Sequence, residues 1–139
     1  MASDAETAER VARAVLEVAF STGDLSVIDE LVAPDFVEHQ RGAAPGREGL
    51  KGTIRHLRTW FPDLKLTVVD SVVGGDKIWV RVVARATNTE PVMGKPPTGK
   101  PVQIDIIDVM RVVDGKMVEH WGVPDTLAMM EQIGLVPGR

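Results

Sequence analysis

The run Val102-Gln103-Ile104-Asp105-Ile106-Ile107-Asp108-Val109-Met110-Arg111-Val112-Val113-Asp114-Gly115-Lys116-Met117-Val118-Glu119-His120-Trp121-Gly122 decides how this chain folds. It consists of a long apolar segment, an Asp-Gly pair and a return segment. Asp-Gly tolerates the positive φ angles of a tight hairpin turn, so the run predicts two antiparallel strands. Side chains alternate between the two faces of a strand. Asp108 therefore shares a face with Ile104, Ile106 and Met110, whereas Asp105 lies with Ile107, Val109 and Arg111. The Asp105 face carries two charges and suits the outside; the opposite register would turn Asp105 inward instead. A carboxylate on an apolar face must find a partner, become neutral or serve chemistry.

Upstream of the hairpin the same alternation runs through Leu64–Val73 and Ile78–Asn88, separated by a Gly74-Gly75-Asp76 turn. In the second of these strands Ile78, Val80, Val82, Ala84 and Ala86 share one face, and Trp79, Arg81, Val83 and Arg85 the other. The stretch from Glu90 to Pro101 holds four prolines and two glycines and predicts a loop. Before Pro62 the apolar period is helical. Ser3 and Glu6 form a capping-box pattern for a first helix, whose Val11, Val15 and Val18 recur at helical spacing up to a stop at Gly23. A short helix follows over Ser26–Leu31, then an extended piece Phe36-Val37-Glu38-His39 and a small-residue loop, Arg41-Gly42-Ala43-Ala44-Pro45-Gly46. A third helix starts near Arg47, places Leu50, Ile54 and Leu57 on one side, and ends at Pro62. Downstream of the hairpin, Asp125 can cap a last helix, Thr126–Ile133, ended by Gly134. Helices and strands segregate along the chain. The expected architecture is a single α+β domain over residues 1–139, with helices packed on one face of a curved antiparallel sheet and a pocket in its concavity.

Composition narrows the function classes. The 139 residues carry a net charge of −4, which argues against nucleic acid or an anionic membrane as the main partner. There is no cysteine, so disulfides, thiolate catalysis and thiolate metal sites are excluded. No apolar run approaches the roughly 20 residues of a bilayer span, and Met1–Glu6 lacks the basic and apolar segments of a signal peptide; a cytoplasmic location is the expectation.

Asp108 leads the candidates for chemistry: a carboxyl group in an apolar cavity has its acidity shifted by desolvation and can donate a hydrogen bond or carry a proton. His39, before the small-residue loop, can reach the mouth of a pocket as a general base, with Asp108 as its partner. A surface or capping role is the alternative for a lone histidine. His120 shares its face with Val118 and Gly122 and can enter the same cavity, while His56, between Ile54 and Leu57, is expected on the solvent side of its helix. Trp60-Phe61 and Met93, Met110, Met129 and Met130 either line a site for a flat apolar ligand or fill the core. Gly94–Lys100 superficially matches a phosphate loop, but its prolines remove donors and no helix follows. The three histidines show no metal-ligand spacing.

Several pieces of the chain also carry a family resemblance: Ala33–His39, Phe61-Pro62-Asp63, Met93–Lys100, Asp108–Lys116, and Glu119-His120-Trp121 with Asp125. Jointly they make the stretch from about Val11 to Gly134 similar to the SnoaL-like polyketide cyclase group of the ketosteroid-isomerase-like α+β cone superfamily. The resemblance implies a conical fold with a deep apolar pocket, a homodimer, no metal or organic cofactor, and a small hydrophobic substrate. It matches Asp108 to the carboxylic acid of the isomerases' oxyanion hole and His39 to their aspartate base. The cyclases place an acid–base aspartate two residues beyond a histidine; here that histidine is His120, and Gly122 stands in the aspartate's place. Asn88 replaces a histidine frequent before the proline loop. The expected catalytic set is His39, Asp108 and His120, with Trp60, Asn88, Met93, Met110 and Gly122 contacting substrate. The expected reaction is aldol cyclisation of a polyketide intermediate or isomerisation through an enolate. Hydroxylation or hydrolysis in the same pocket, and a non-catalytic binding or dimerising module, are the alternatives.

Overall fold

A computed structural model describes residues 3–138. The elements are α1 (Asp4–Arg13), continuing directly into a π-helical segment (Ala14–Phe20), α2 (Ser26–Leu31), β1 (Val32–Glu38), α3 (Gly46–Trp60), β2 (Lys65–Gly74), β3 (Lys77–Thr87), β4 (Pro101–Val113), β5 (Lys116–Pro124) and α4 (Thr126–Gln132). The strands form one curved, unclosed sheet in the order β1-β5-β4-β3-β2. The α+β class and the helix-wrapped curved sheet are those expected.

The opening hairpin forms as predicted. Asp114 and Gly115 take φ values of 51° and 75°, as a tight turn between right-twisted strands requires. β4 pairs with both β3 and β5, which makes it the centre of the sheet. Its Asp108 face is the inner one: Val102, Asp108 and Met110 are buried, and Asp105 and Ile107 are exposed. Ser3 caps α1 by accepting from the Glu6 amide, Asp125 caps α4 by accepting from that of Ala128, and Gly134 ends the last turn at φ 82°.

One element differs from expectation. The extended piece near Phe36 is a seven-residue strand that begins at Val32 and pairs parallel to β5, so the otherwise antiparallel sheet has a parallel edge. Its register shifts between Val32 and Val37, where Pro34 contributes no ladder donor. At the opposite edge, β2 is covered by the π-helical segment. The Leu66 amide donates to Ser21 Oγ (2.9 Å) and the Val68 amide to Glu17 Oε2 (2.9 Å), so edge groups that would otherwise face solvent are paired.

The core lies between the inner sheet face and the helices, with Val11, Val15, Ile28, Ile54, Ile78 and Val82 fully buried. Asp63, in the Phe-Pro-Asp motif, accepts from the Thr87 amide at 2.9 Å and ties the end of α3 to the end of β3. That bond holds the Asp63 carboxyl below its usual range. Among the described residues no helix is long and apolar enough to cross a membrane.

Candidate active site

The inner face of the sheet, α3, the π-helical segment and α4 enclose a cavity of about 620 Å3. That is within the range of small-molecule sites, and its wall is predominantly apolar. Phe20, Leu57, Trp60, Leu66, Ile106 and Met129 are among the side chains that line it. Trp60, Met93 and Met110 take the lining positions expected of them. His56 lies at the rim on the exposed side of its helix, its ring 4.4 Å from that of Trp60.

Three charged side chains from three adjacent strands meet in this wall. Glu38 on β1 pairs in register with His120 on β5, and Asp108 on β4 pairs with Gly122, two residues further along β5. Neighbours in register point to the same face, so all three groups converge. His120 Nδ1 lies 2.6 Å from Glu38 Oε1 and His120 Nε2 2.7 Å from Asp108 Oδ1. The side chains are 4 % (Glu38), 11 % (His120) and 5 % (Asp108) exposed. Burial alone pulls the His120 pKa down. The hydrogen bonds to Asp108 and Glu38, and their negative charge, outweigh it and raise the value to about 9.

Each of these short contacts needs a proton between its two heavy atoms. The three groups together therefore hold two protons. Either the imidazolium donates to two carboxylates, or a neutral imidazole faces one carboxylic acid. The net charge of the cluster is −1 in both forms, so moving the Nε2 proton to Asp108 leaves that net charge unchanged. No buried side-chain nitrogen or oxygen among the described residues lacks a partner, and Asp108 spends only Oδ1 on His120. Its second oxygen, Oδ2, is thus open to the cavity.

His39, expected as the base, is not part of this arrangement. Alternation along β1 sends Phe36 and Glu38 inward and Val37 and His39 outward. His39 Nε2 lies 2.7 Å from Glu119 Oε2, and its ring stacks on Trp121 at 4.7 Å. Asn88 also departs from its expected place in the cavity wall. It is buried at the base of the proline loop, where Oδ1 accepts from the Thr98 amide (2.8 Å) and Nδ2 donates to the Glu90 carbonyl (3.1 Å). Both ends of its amide are thus turned to the loop backbone, and it is not among the residues that line the cavity.

Sequence reasoning missed two residues of the site, Glu38 and Gln40. The signal was Phe36: an inward aromatic two residues before Glu38 and four before Gln40 sets the phase of the strand. Gln40 reaches over Gly122. A Cβ on Gly122 would collide with Gln40 Oε1, and would lie 2.8 Å from Asp108 Oδ1 and 2.9 Å from His120 Cε1. Glycine at this position is what lets the Gln40 amide sit beside the acid.

Comparison with known proteins agrees with the fold. The chain is 26 % identical over 120 residues to nogalonic acid methyl ester cyclase of Streptomyces nogalater, covering 84 % of this chain and 90 % of that protein. Among solved structures it matches wild-type IdmH of Streptomyces antibioticus, assigned as a polyketide cyclase, with a TM-score of 0.82 and 39 % identity over 93 % of this chain and 99 % of the other. It also matches AclR of Streptomyces galilaeus, assigned as a hydroxylase, with a TM-score of 0.86 and 28 % identity over 99 % of this chain and 86 % of the other. The architecture is ketosteroid-isomerase-like. Residues 9–133 match the SnoaL-like polyketide cyclases as a family, and the chain belongs to that family.

Proposed function

We propose that this protein is a cofactor-independent acid–base enzyme that closes a ring in a hydrophobic polyketide-type carbonyl compound by an aldol reaction, with Asp108 as the group that carries the proton. The observation that supports it is the Glu38–His120–Asp108 chain of hydrogen bonds, which ends at a carboxyl oxygen open to an apolar cavity. Asp108 takes the proton from a carbon next to a carbonyl, leaving an enolate. The enolate carbon attacks a second carbonyl of the same molecule, forming the carbon–carbon bond. The proton then passes from Asp108 to the new alkoxide. No proton is gained or lost over the whole cycle: the cluster goes from −1 to neutral while Asp108 holds the substrate proton and returns to −1 when the alkoxide takes it. His120, held between two carboxylates, positions Asp108.

The same arrangement limits the substrate. A carboxylate is a weak base, so the carbon acid must be a strong one. A carbon flanked by two carbonyls, as in a β-keto ester, fits that demand. The experiment is turnover of nogalonic acid methyl ester, and of simpler aromatic β-keto esters, by wild-type protein and Asp108→Asn, with ring closure followed by chromatography. Wild-type turnover that survives Asp108→Asn within a few-fold, or none on any ester tested, would remove the proposal. A second reading is hydroxylation, the activity assigned to AclR; incorporation of 18O from labelled dioxygen into the product would select it.

The outer sheet face suggests the partner. It carries Val37, Val72, Trp79, Ile107 and Val123 exposed, together with the charge pairs Arg81–Asp105 and Arg111–Glu119. An apolar centre bearing both signs of charge is complementary to itself, as a two-fold interface must be. The occupant proposed is a second copy of this chain. Light scattering should give a dimer for wild type and a monomer for Trp79→Asp; a monomeric wild type contradicts the assignment.

A further inference from the structure

The polar wall of the cavity contains a group that the acid–base scheme does not use. Gln40 lies directly above Gly122, and its backbone amide donates to Glu38 Oε1 at 2.9 Å, which fixes the start of the loop against the cluster. Among the described residues its side-chain amide has no hydrogen-bond partner. From the Gly122 contacts, Gln40 Oε1, Asp108 Oδ1 and His120 Cε1 lie within about 5 Å of one another. A free carboxamide exchanges its oxygen and nitrogen by a half-turn of its terminal bond, so Gln40 can present either N–H or C=O to a ligand.

An enolate needs a hydrogen-bond donor at its oxygen, and the charged cluster itself has none to offer. Both His120 nitrogens are engaged by carboxylates, and Asp108 is occupied with the carbon-bound proton. Gln40 offers a free N–H beside Asp108. We propose that Gln40 binds the substrate carbonyl oxygen on which the enolate charge collects, and that Gly122 is the residue that makes room for it. When Asp108 Oδ2 takes the α-proton, the electron pair of that C–H bond moves onto the carbonyl oxygen. Gln40 Nε2 donates to that oxygen, and the bond strengthens as charge builds. The neutral amide adds no charge to a cluster that already carries −1, unlike an aspartate at position 122, which would add a second negative group against Asp108.

The inference rests on the acid–base reading of Asp108, and a binding measurement separates the two. The probe is 2-naphthol, whose hydroxyl oxygen imitates an enol and whose flat rings match the cavity, with naphthalene as the same shape lacking the oxygen. Wild-type protein should bind 2-naphthol more tightly than naphthalene. Gln40→Met keeps the length of the side chain and removes the donor. It should weaken 2-naphthol about tenfold, the worth of one good hydrogen bond, and leave naphthalene unchanged. Gly122→Ala, which displaces the amide, should lower the same preference, and adding Gln40→Met to it should cost little more. Equal weakening of both ligands, or an unchanged preference in Gln40→Met, overturns the proposal while the acid–base reading stands on its turnover test. Wild-type protein that binds neither ligand overturns the apolar cavity on which both depend.

Discussion

His120 and His39 lie at the junction of the same two strands, each within hydrogen-bond distance of a glutamate on the neighbouring strand, yet they belong to different environments. Glu38 and His120 face inward, and the residues that follow and precede them, His39 and Glu119, face outward. The inner pair is nearly sealed, joined by Asp108, and holds the imidazole protonated to about pH 9. The outer histidine side chain is 37 % exposed, and its glutamate also accepts from Arg111 at 2.7 Å. There the hydrogen bonds from His39 and Arg111 hold the Glu119 carboxyl below its usual range. What separates the clusters is access to water. Inside, the protonation state of one group constrains the next, because no solvent compensates for an unpaired charge. Outside, solvent and salt screen the same kind of contact until it does little more than hold two strands in place.

The largest effect should come from removing the acid on each side in turn. Asp108→Asn takes away a carboxyl oxygen of the cluster that is open to the cavity, and general acid–base catalysis is worth about 10²–10⁴ in rate. Turnover should fall by that factor, while circular dichroism shows the fold retained. Glu119→Gln, the equivalent change on the outer face, should leave turnover within about twofold of wild type. Comparable losses in both variants would mean that the outer cluster takes part in chemistry and that the division by burial is wrong.

Next in size is a dependence of stability on pH. The folded pKa of His120 is raised above its ordinary 6.5, to about 9, so the cluster contributes its full stability below pH 6.5. That contribution drains away as pH rises through 9. A shift of this kind is worth about 3 kcal/mol, or roughly 10 °C in Tm for a domain of this size. Thermal denaturation followed from pH 6 to pH 9.5 should show that fall in wild type and a much flatter profile in His120→Gln. Parallel profiles in the two proteins would show that the imidazolium is not held by its two carboxylates.

Much of this arrangement is readable in the chain before folding, and the unreadable part has a physical cause. The Asp114-Gly115 turn and the long alternation of β4 put Asp108 inside with Ile106 and Met110, because a thirteen-residue strand offers many positions at which to fix its phase. β1 offers few. It is seven residues long, is interrupted by Pro34, and pairs with a strand some 80 positions downstream, which no local pattern announces. An error of one residue there exchanges Glu38 for His39, and a strand read one residue out turns every side chain to the other face. The reputation of histidine as a base outweighed the inward Phe36, which carried the right phase. Gly122 posed a different problem. A glycine inside a strand signals that something approaches closely, but only the folded chain shows that the visitor is Gln40.

The smallest effect is the one expected at His39, and it tests the comparison from its weak side. His39→Ala removes the contact to Glu119 and the stack on Trp121, both on the solvent side of the sheet. Arg111 continues to neutralise Glu119, and the β1–β5 ladder, including the bond from the residue 39 amide to the His120 carbonyl, does not depend on the side chain. The Tm should therefore stay within about 3 °C of wild type, and turnover and its pH profile should be unchanged. A tenfold loss of turnover in a folded His39→Ala would restore this histidine as the base and require the edge strand to rotate during the reaction. Unchanged turnover with Asp108→Asn inactive would leave the inner cluster as the sole source of the proton. The two histidines would then differ in function for the same reason that they differ in environment, a single step in the alternation of β1.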